Sequence, residues 1–258
     1  METLLETSYR SGFVVLSYVF AVVGSFIALT SARDIVRRSG RIDWLATTIT
    51  GVALGGIGVW SMHFLGMLAV QIDIGVGYRL LETLTSLVAA VCASSAALVY
   101  VAKAPSDPKR IVVAGCLLGL GVAVMHYLGM YGMRFGGFIR WSPEIVALSV
   151  LIAMVAATAA LWLAFNVGGI GPRAAASAVM GIAVCAMHYT GMSAAGFICT
   201  TANRLAVPSG SGVIASFNMP TMVVLITIGT ALIIVLDLVM RREEAKTRAM
   251  LAQIRKSY

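Results

Sequence analysis

Seven apolar stretches, each about 20 residues long, follow one another along almost the whole of this 258-residue chain. They cover residues 11–30, 45–69, 81–102, 111–131, 145–165, 174–197 and 219–240. A helix needs about 20 apolar residues to cross the roughly 30 Å hydrocarbon core of a bilayer. Only 12% of the residues are charged, against about 25% in an ordinary soluble domain. The sequence therefore predicts an all-α membrane protein with seven transmembrane helices and excludes a water-soluble globule.

The Lys and Arg residues are divided unequally between the two ends of the predicted helices. Fourteen of the 19 fall on one side: Arg33, Arg37, Arg38, Arg41, Lys103, Lys109, Arg110, Arg173, Arg241, Arg242, Lys246, Arg248, Arg255 and Lys256. The other side carries Arg10, Arg79, Arg134, Arg140 and Arg204. Since basic loops stay in the cytoplasm, we predict that the N-terminus lies outside and that the C-terminus is cytoplasmic. Because the charges are scattered between apolar stretches, they indicate contact with lipid headgroups and argue against nucleic-acid binding.

All three histidines of the chain lie in copies of one short motif. The pattern is Gly-x5-Met-His-aromatic-x-Gly-Met, and it places His63, His126 and His188 at separations of 63 and 62 residues. A fixed internal period indicates a repeated structural unit. We therefore predict three two-helix hairpin repeats, which pair spans 1 and 2, 3 and 4, and 5 and 6, plus a seventh helix. The motif helices then run in one direction and place the imidazoles at one depth, about 10 to 15 Å below the outer boundary.

Each motif offers ligands for a soft metal ion on one helical face. Residues four apart share a face of an α-helix, so the predicted metal ligands are His63 with Met67, His126 with Met130, and His188 with Met192. The motif glycines lie near that face and let helices approach closely. The auxiliary ligands open to this site are Met62, Met125, Met187 and Cys185. Thioethers and imidazoles suit copper, as Cu(I), better than zinc, magnesium or calcium. A noncovalent haem with axial His or Met ligands is the alternative cofactor.

Three stretches at the centres of the motif copies are Met62-His63-Phe64, Met125-His126-Tyr127 and Met187-His188-Tyr189. They resemble the motif of the MHYT family of bacterial integral membrane sensor domains, and the resemblance covers nearly the whole chain. It implies a sensor domain over residues 1–240 and a cytoplasmic helical tail or linker over residues 241–258, in the bacterial inner membrane. It also implies copper binding, sensing of a diatomic gas such as O2, CO or NO, and output through a cytoplasmic domain or protein, often one of cyclic-di-GMP signalling. Phe64 departs from the pattern because it lacks the tyrosine hydroxyl.

Three classes of function remain open for such a chain. A sensor of gas or redox state would transmit the state of the histidine site through the seventh helix into the tail. A copper transporter or a noncovalent-haem electron carrier would use the same ligands. A single ring of strong ligands traps an ion, and no catalytic constellation is visible, so we predict a sensor without enzyme activity, with the transporter or haem protein as the alternative. Its partners would be the lipid bilayer, the gas or copper, the output module, and a second copy of the chain in a homodimer.

Overall fold

In a computed structural model, which describes residues 2–36 and 39–254, the protein is a bundle of membrane-length helices. Seven helical spans among the described residues are long and apolar enough to cross a bilayer, which confirms the predicted fold class. The α-helices are α1 (Ser11–Ser31), α2 (Trp44–Gly51), α3 (Met62–Ala69), α4 (Leu80–Ala102), α5 (Pro108–Tyr131), α6 (Pro143–Asn166), α7 (Ile170–Ser193) and α8 (Met219–Ile254). A 3-10 turn, Ala32–Asp34, extends α1. A ten-residue π-helix, Val52–Ser61, joins α2 to α3 within the second span.

Local sequence signals fix where several helices begin. The Asp43 carboxylate accepts hydrogen bonds from two backbone N–H groups in the first turn of α2. Asp107 caps α5 in the same way, and Pro108 follows it in the first helical position. These groups satisfy N–H donors that have no partner inside the helix, and proline at this position gives up no internal hydrogen bond.

The sixth span differs from its predicted range of 174–197. It begins earlier, at Ile170. The preceding residue, Gly169, has a left-handed φ of 83° and lies in the turn between α6 and α7. It also ends earlier, at Ser193, because Ala195–Cys199 form a strand that is largely buried. Hydropathy alone extends the span too far, since a buried strand and a helix end are equally apolar.

Six of the spans form a closed ring, and the seventh lies outside it. The helix α1 packs on the second span, which consists of α2, the π-helix and α3; the second span packs on α4, and α4 to α7 follow in chain order back to α1. Each span therefore has a neighbour on either side, and the ring does not single out the predicted hairpins. The three-hairpin organisation stays a prediction. The helix α8 packs mainly on the π-helix and α3.

A cap of short strands covers the end of the ring that carries residues 2–10, which we call the N-terminal face. The strands are β1 (Thr3–Leu4), β2 (Ser8–Tyr9), β3 (Val70–Gln71), β4 (Gly77–Arg79), β5 (Met133–Arg134), β6 (Gly137–Trp141), β7 (Ala195–Cys199) and β8 (Val213–Ala215). They form three antiparallel sheets in the orders β1-β7-β6, β2-β3 and β5-β4-β8. The sequence pattern predicts none of them, because segments of two to five residues are too short to show alternation.

Buried groups tie this cap to the helices beneath it. Tyr78 on β4 is 2% exposed, and burial raises the pKa of its hydroxyl. Glu82, in the first turn of α4, is also buried and forms ion pairs with Arg79 on β4 at 2.8 Å and Arg134 on β5 at 3.5 Å. The cap is therefore part of the folded core and not a set of loose loops.

The opposite face carries the loops between α1 and α2, α4 and α5, and α6 and α7, and the extension of α8. This helix continues without interruption from Met219 to Ile254, well beyond Asp237, where its apolar part ends. Arg37, Arg38, Arg255 and Lys256, which contribute to the charge count, lie outside the described residues. The orientation of the termini and the domain boundary at residue 240 stay predictions.

Candidate metal centre

Three imidazoles meet in the middle of the ring, beneath the cap. His63 lies on α3, His126 on α5 and His188 on α7, and all three are fully buried. Their Nδ1 atoms form a triangle whose edges are 3.1 Å from His63 to His126, 3.2 Å from His63 to His188 and 3.3 Å from His126 to His188. The structure therefore brings the histidines of all three motif copies together at one point.

Hydrogen bonds among the rings cannot satisfy this triangle. The Nδ1 atom of a neutral imidazole either carries a proton or offers a lone pair. Two of the three Nδ1 atoms must therefore be in the same state. At least one edge then places two protons or two lone pairs against each other across 3.1 to 3.3 Å. A single central cation that accepts all three lone pairs removes this repulsion, so the donor set fits a metal ion.

The triangle also has the dimensions of a metal site. Nitrogens about 3.2 Å apart lie about 1.9 Å from the centre of their triangle, close to the roughly 2.0 Å of a zinc–imidazole bond. Within residues 2–36 and 39–254, these three are the His, Cys, Asp or Glu side chains whose ligand atoms come together in this way. Three neutral ligands bring no charge of their own, so a monovalent ion adds only one charge to the buried site.

The other nitrogen of each ring lies against the glycine of a different motif copy. Each Nε2 occupies space that a Cβ would need: His63 at Gly129, His126 at Gly191 and His188 at Gly66. These contacts run round the three motif copies as a closed cycle. None of the three Nε2 atoms has a partner in hydrogen-bond geometry among the described residues, although all are buried. The motif glycines are thus needed to seat the rings, and they leave each Nδ1 pointing to the centre.

The motif tyrosines do not point into this triangle. The Tyr127 hydroxyl lies 2.6 Å from Oγ of Ser149 on α6, and the Tyr189 hydroxyl lies 3.0 Å from Oγ of Ser17 on α1. Ser149 and Ser17 each donate to the carbonyl three residues earlier. Both tyrosines therefore hold a motif helix to the next helix of the ring.

Trp60 replaces the contact that Phe64 cannot make. The Trp60 indole N–H donates to Oγ of Ser86 on α4 at 3.1 Å, and to the carbonyl of Thr83 at the same distance. Ser86 also donates to the carbonyl of Thr83. Although Phe64 has no hydroxyl, a side-chain hydrogen bond therefore still joins the second span to α4.

Replacing Tyr127 by Phe is expected to lower the free energy of unfolding by about 1 kcal/mol, because it removes one hydrogen bond and no packing. Thermal unfolding in detergent measures the effect. The control is Tyr131→Phe on the same helix, where the side chain is 65% exposed and no change is expected. Equal stability of the Tyr127→Phe variant and the parent would show that the bond to Ser149 contributes nothing.

The predicted methionine ligands are nearly fully buried and lie one helical turn closer to the N-terminal face than the histidines. They are Met67, Met130 and Met192. Met67 lines a cavity beneath the cap, and Met130 lines a separate groove between α5, α6 and β6. The predicted auxiliary residues Met62, Met125 and Met187 are also buried, and Cys185 is half-buried beside Ser17. Ligation by any of these sulfur atoms stays a prediction.

The apolar pattern does not distinguish the π-helix that leads into the first motif from an α-helix. The corresponding stretches of α5 and α7 are α-helical throughout. At the end of the π-helix, Ser61 donates to the carbonyl of Gly56 at 2.9 Å, and its Oγ lies 2.7 Å from Oγ1 of Thr227 on α8. The closely spaced glycines Gly55, Gly56 and Gly58 are the signal in the sequence for an unusual helix here. The copy that contains the π-helix thus makes the main contact with the seventh span.

The motif copies correspond to a known sequence family. Residues 56–114 and 119–177 each match MHYT, described as a bacterial signalling protein N-terminal repeat. The chain belongs to the MHYT family. Its two matched stretches start 63 residues apart, each at the first glycine of a motif copy. The third copy of the motif lies beyond the matched residues.

Several signalling proteins are similar to this MHYT chain. The bifunctional diguanylate cyclase/cyclic di-GMP phosphodiesterase MucR of Pseudomonas aeruginosa is 41% identical over 201 residues, which is 75% of this chain and 29% of that protein. The signaling protein YkoW of Bacillus subtilis is 31% identical over 202 residues, 75% of this chain and 25% of that protein. The cyclic di-GMP phosphodiesterase NbdA of Pseudomonas aeruginosa is 34% identical over 206 residues, 74% of this chain and 25% of that protein.

The chain spans less than a third of the length of these curated relatives. No solved structure matches it. The family match and the seven membrane-length helices together identify a membrane-embedded MHYT sensor domain of the kind found in signalling proteins.

Proposed function

We propose that this domain senses a small molecule through a copper(I) ion held by His63, His126 and His188. A change in the ligand or redox state of that ion displaces α8. This helix transmits the displacement to a cytoplasmic output domain or protein, as part of cyclic-di-GMP signalling. The observation that carries the proposal is the buried triangle of Nδ1 atoms 3.1 to 3.3 Å apart. The signal is a diatomic gas or a change of redox state, and the N-terminal face points out of the bacterial inner membrane.

The donor set supports copper(I) over the other metals and over haem. Three neutral imidazoles in an apolar span favour an ion of low charge, and buried methionines one turn away offer the soft sulfur that copper(I) prefers. A haem would have to lie between the nitrogens that it joins. Nitrogens at hydrogen-bond distance leave no space for a porphyrin. When bound, the ion supplies a ligand position and a redox couple, while Gly66, Gly129 and Gly191 keep the imidazoles turned towards it.

The route to the output starts two residues before His63. Ser61 ends the π-helix and shares a 2.7 Å hydrogen bond with Thr227, near the middle of the apolar part of α8. Both hydroxyls are buried. A shift of His63 on ligand binding moves Ser61, and a continuous helix carries that displacement from Thr227 to residue 254. A ligand shifts this arrangement only by binding one state more tightly than the other.

Copper(I) affinity tests the triangle directly. Competition with a chromophoric chelator in lipid nanodiscs is expected to give one ion per chain and an affinity at least about 100-fold weaker, roughly 2.7 kcal/mol, in His126→Ala. Tyr127→Phe is the control, because it alters the adjacent residue and no ligand. X-ray absorption is expected to show three nitrogen neighbours. An unchanged affinity in His126→Ala, or three ions bound independently, would overturn the proposal.

Thioether ligation has its own test. Changing Met67, Met130 and Met192 together to leucine keeps the apolar volume and is expected to weaken copper(I) binding while zinc binding stays the same. The readout is the ratio of the two affinities. An unchanged ratio removes the thioethers from the ligand set and leaves the three histidines in place.

A spin label at position 240, where Met240 is 59% exposed, tests the signalling route. Copper(I) is expected to change the mobility of the label in the parent chain and in Thr230→Val, but not in Thr227→Val. Thr230 is a matched control because it lies one turn along α8 and bonds only its own helix, through the carbonyl of Ile226. Copper affinity is expected to be equal in all three proteins. A response in Thr227→Val as large as in the parent would show that the signal takes another path.

A further inference from the structure

A small cavity lies in the middle of the helix ring, on the side of the histidine triangle away from the cap. Its volume is about 40 Å³. Twelve residues line it, and eleven of them are apolar. Every helical span of the ring except α1 contributes to this lining.

The sequence frame fixes where the cavity lies relative to the histidines. Val59, Val122 and Val184 each precede the motif histidine of their helix by four residues. In the α-helices α5 and α7, residues four apart share a face and are separated by one turn, about 6 Å. The cavity therefore begins one turn below His126 and His188, and Val59 of the π-helix completes an upper wall with one valine from each motif copy. The His+4 methionines lie one turn away on the opposite side.

The lining determines what this space can hold. A buried water needs two to four polar partners, but Ser94 is the one hydroxyl-bearing residue in the lining, and the other residues are apolar. A volume of about 40 Å³ exceeds the ~10–15 Å³ that one water needs, and an apolar cavity stays dry and accepts apolar atoms such as xenon. An acyl chain or a porphyrin is far too large.

The geometry points to a gas-binding site: we propose that this cavity holds one small apolar molecule, a diatomic gas, next to the histidine triangle. Four alanines of α6 form a thin wall on one side, and two of them, Ala156 and Ala160, are partly exposed, as is Val184 on α7. A gas dissolved in the hydrocarbon core thus has a short path between α6 and α7. The link to sensing rests on the proposed function, but the occupancy of the cavity does not.

Xenon is the probe, since it is apolar, of the right size and visible by anomalous scattering. In crystals of the metal-free protein under xenon pressure, one site is expected, bounded by Val59, Val122 and Val184. Val122→Phe fills the cavity and is expected to lower xenon occupancy at least about tenfold. Val124→Phe is the matched control, because it makes the same change on the same helix at a side chain that is 58% exposed.

Two smaller substitutions test the cavity if the Val122→Phe variant does not fold. Ala157→Val narrows the cavity, while Ala159→Val makes the same change at an exposed position of α6. No xenon site in the parent, or equal occupancy in Val122→Phe or Ala157→Val and the parent, would overturn the inference. Copper(I) affinity is measured on the same proteins. Xenon binding without copper binding contradicts the proposed metal function alone, whereas copper binding without xenon contradicts the cavity site alone.

Discussion

Replacing Gly191 by Ala is expected to weaken copper(I) binding by about 10–100-fold, the range found when a group that orients a metal ligand is removed. The new Cβ would collide with Nε2, Cδ2 and Cε1 of His126. This ring has no free side to turn to, because it is fully buried and Tyr127 packs edge-on against it, with ring centroids 4.8 Å apart. Nδ1 of His126 therefore leaves the triangle. Overpacking of this kind costs about 1–3 kcal/mol of folding stability as well.

The control for this change lies on the same helix. Gly171→Ala adds the same methyl group to α7 where nothing lies within 4 Å. Because alanine favours a helix over glycine by up to about 1 kcal/mol, this variant is expected to be at least as stable as the parent. Chelator competition and thermal unfolding are measured on both. If Gly191→Ala binds copper(I) as tightly as Gly171→Ala, the glycine cycle does not position the rings.

The membrane environment explains why the sequence predicts both the helices and the meeting of the histidines. A lipid solvent forces each apolar stretch into a helix whose backbone is satisfied internally. Parallel motif helices with histidine at one depth, and glycine beside it, then allow close packing. His63, His126 and His188 are found in one triangle for this reason.

The atoms that form the centre are not visible in the sequence. Helical spacing places each histidine and its His+4 methionine on one face, which predicts ligand pairs within a helix. The structure shows that a contact between helices decides the ring orientation, because Nε2 of His63 lies against Gly129 of the next copy. A periodic pattern along one helix carries no information on how its neighbour is rotated.

The strands of the cap and the π-helix depend on contacts that the apolar pattern does not show. The strand β4 has only three residues and exists because it pairs with β5 and β8, which come from distant parts of the chain. The π-helix Val52–Ser61 depends on tertiary contact, since Gly58 allows a close approach to α1 and Gly55 a close approach to α4. The closely spaced glycines indicate an unusual helix, but local propensity specifies neither a π-helix nor these strands.

Replacing Gly24 by Ala is expected to cost about 3 kcal/mol or more of the free energy of unfolding, the upper end of overpacking effects. A Cβ at Gly24 would collide with the backbone N and Cα of Gly58 and with the carbonyl oxygen of Ala53. Side chains can rotate away from such a contact, but these are backbone atoms of the π-helix. The two helices must therefore separate, which opens the packing between α1 and the second span. Denaturation in mixed detergent micelles measures the loss.

Gly12→Ala on the same helix has nothing within 4 Å of the new methyl group and is expected to unfold at or above the parent's midpoint. The comparison also tests the metal site, because the π-helix ends at Ser61 and His63 follows on the next turn. If α1 and the π-helix separate, His63 moves relative to His126, which lies on α5, a helix that is not next to α1 in the ring. Copper(I) affinity is then expected to fall in Gly24→Ala and to stay constant in Gly12→Ala. A Gly24→Ala protein with the stability and copper affinity of Gly12→Ala would show that the close approach at Gly58 is not needed to place His63.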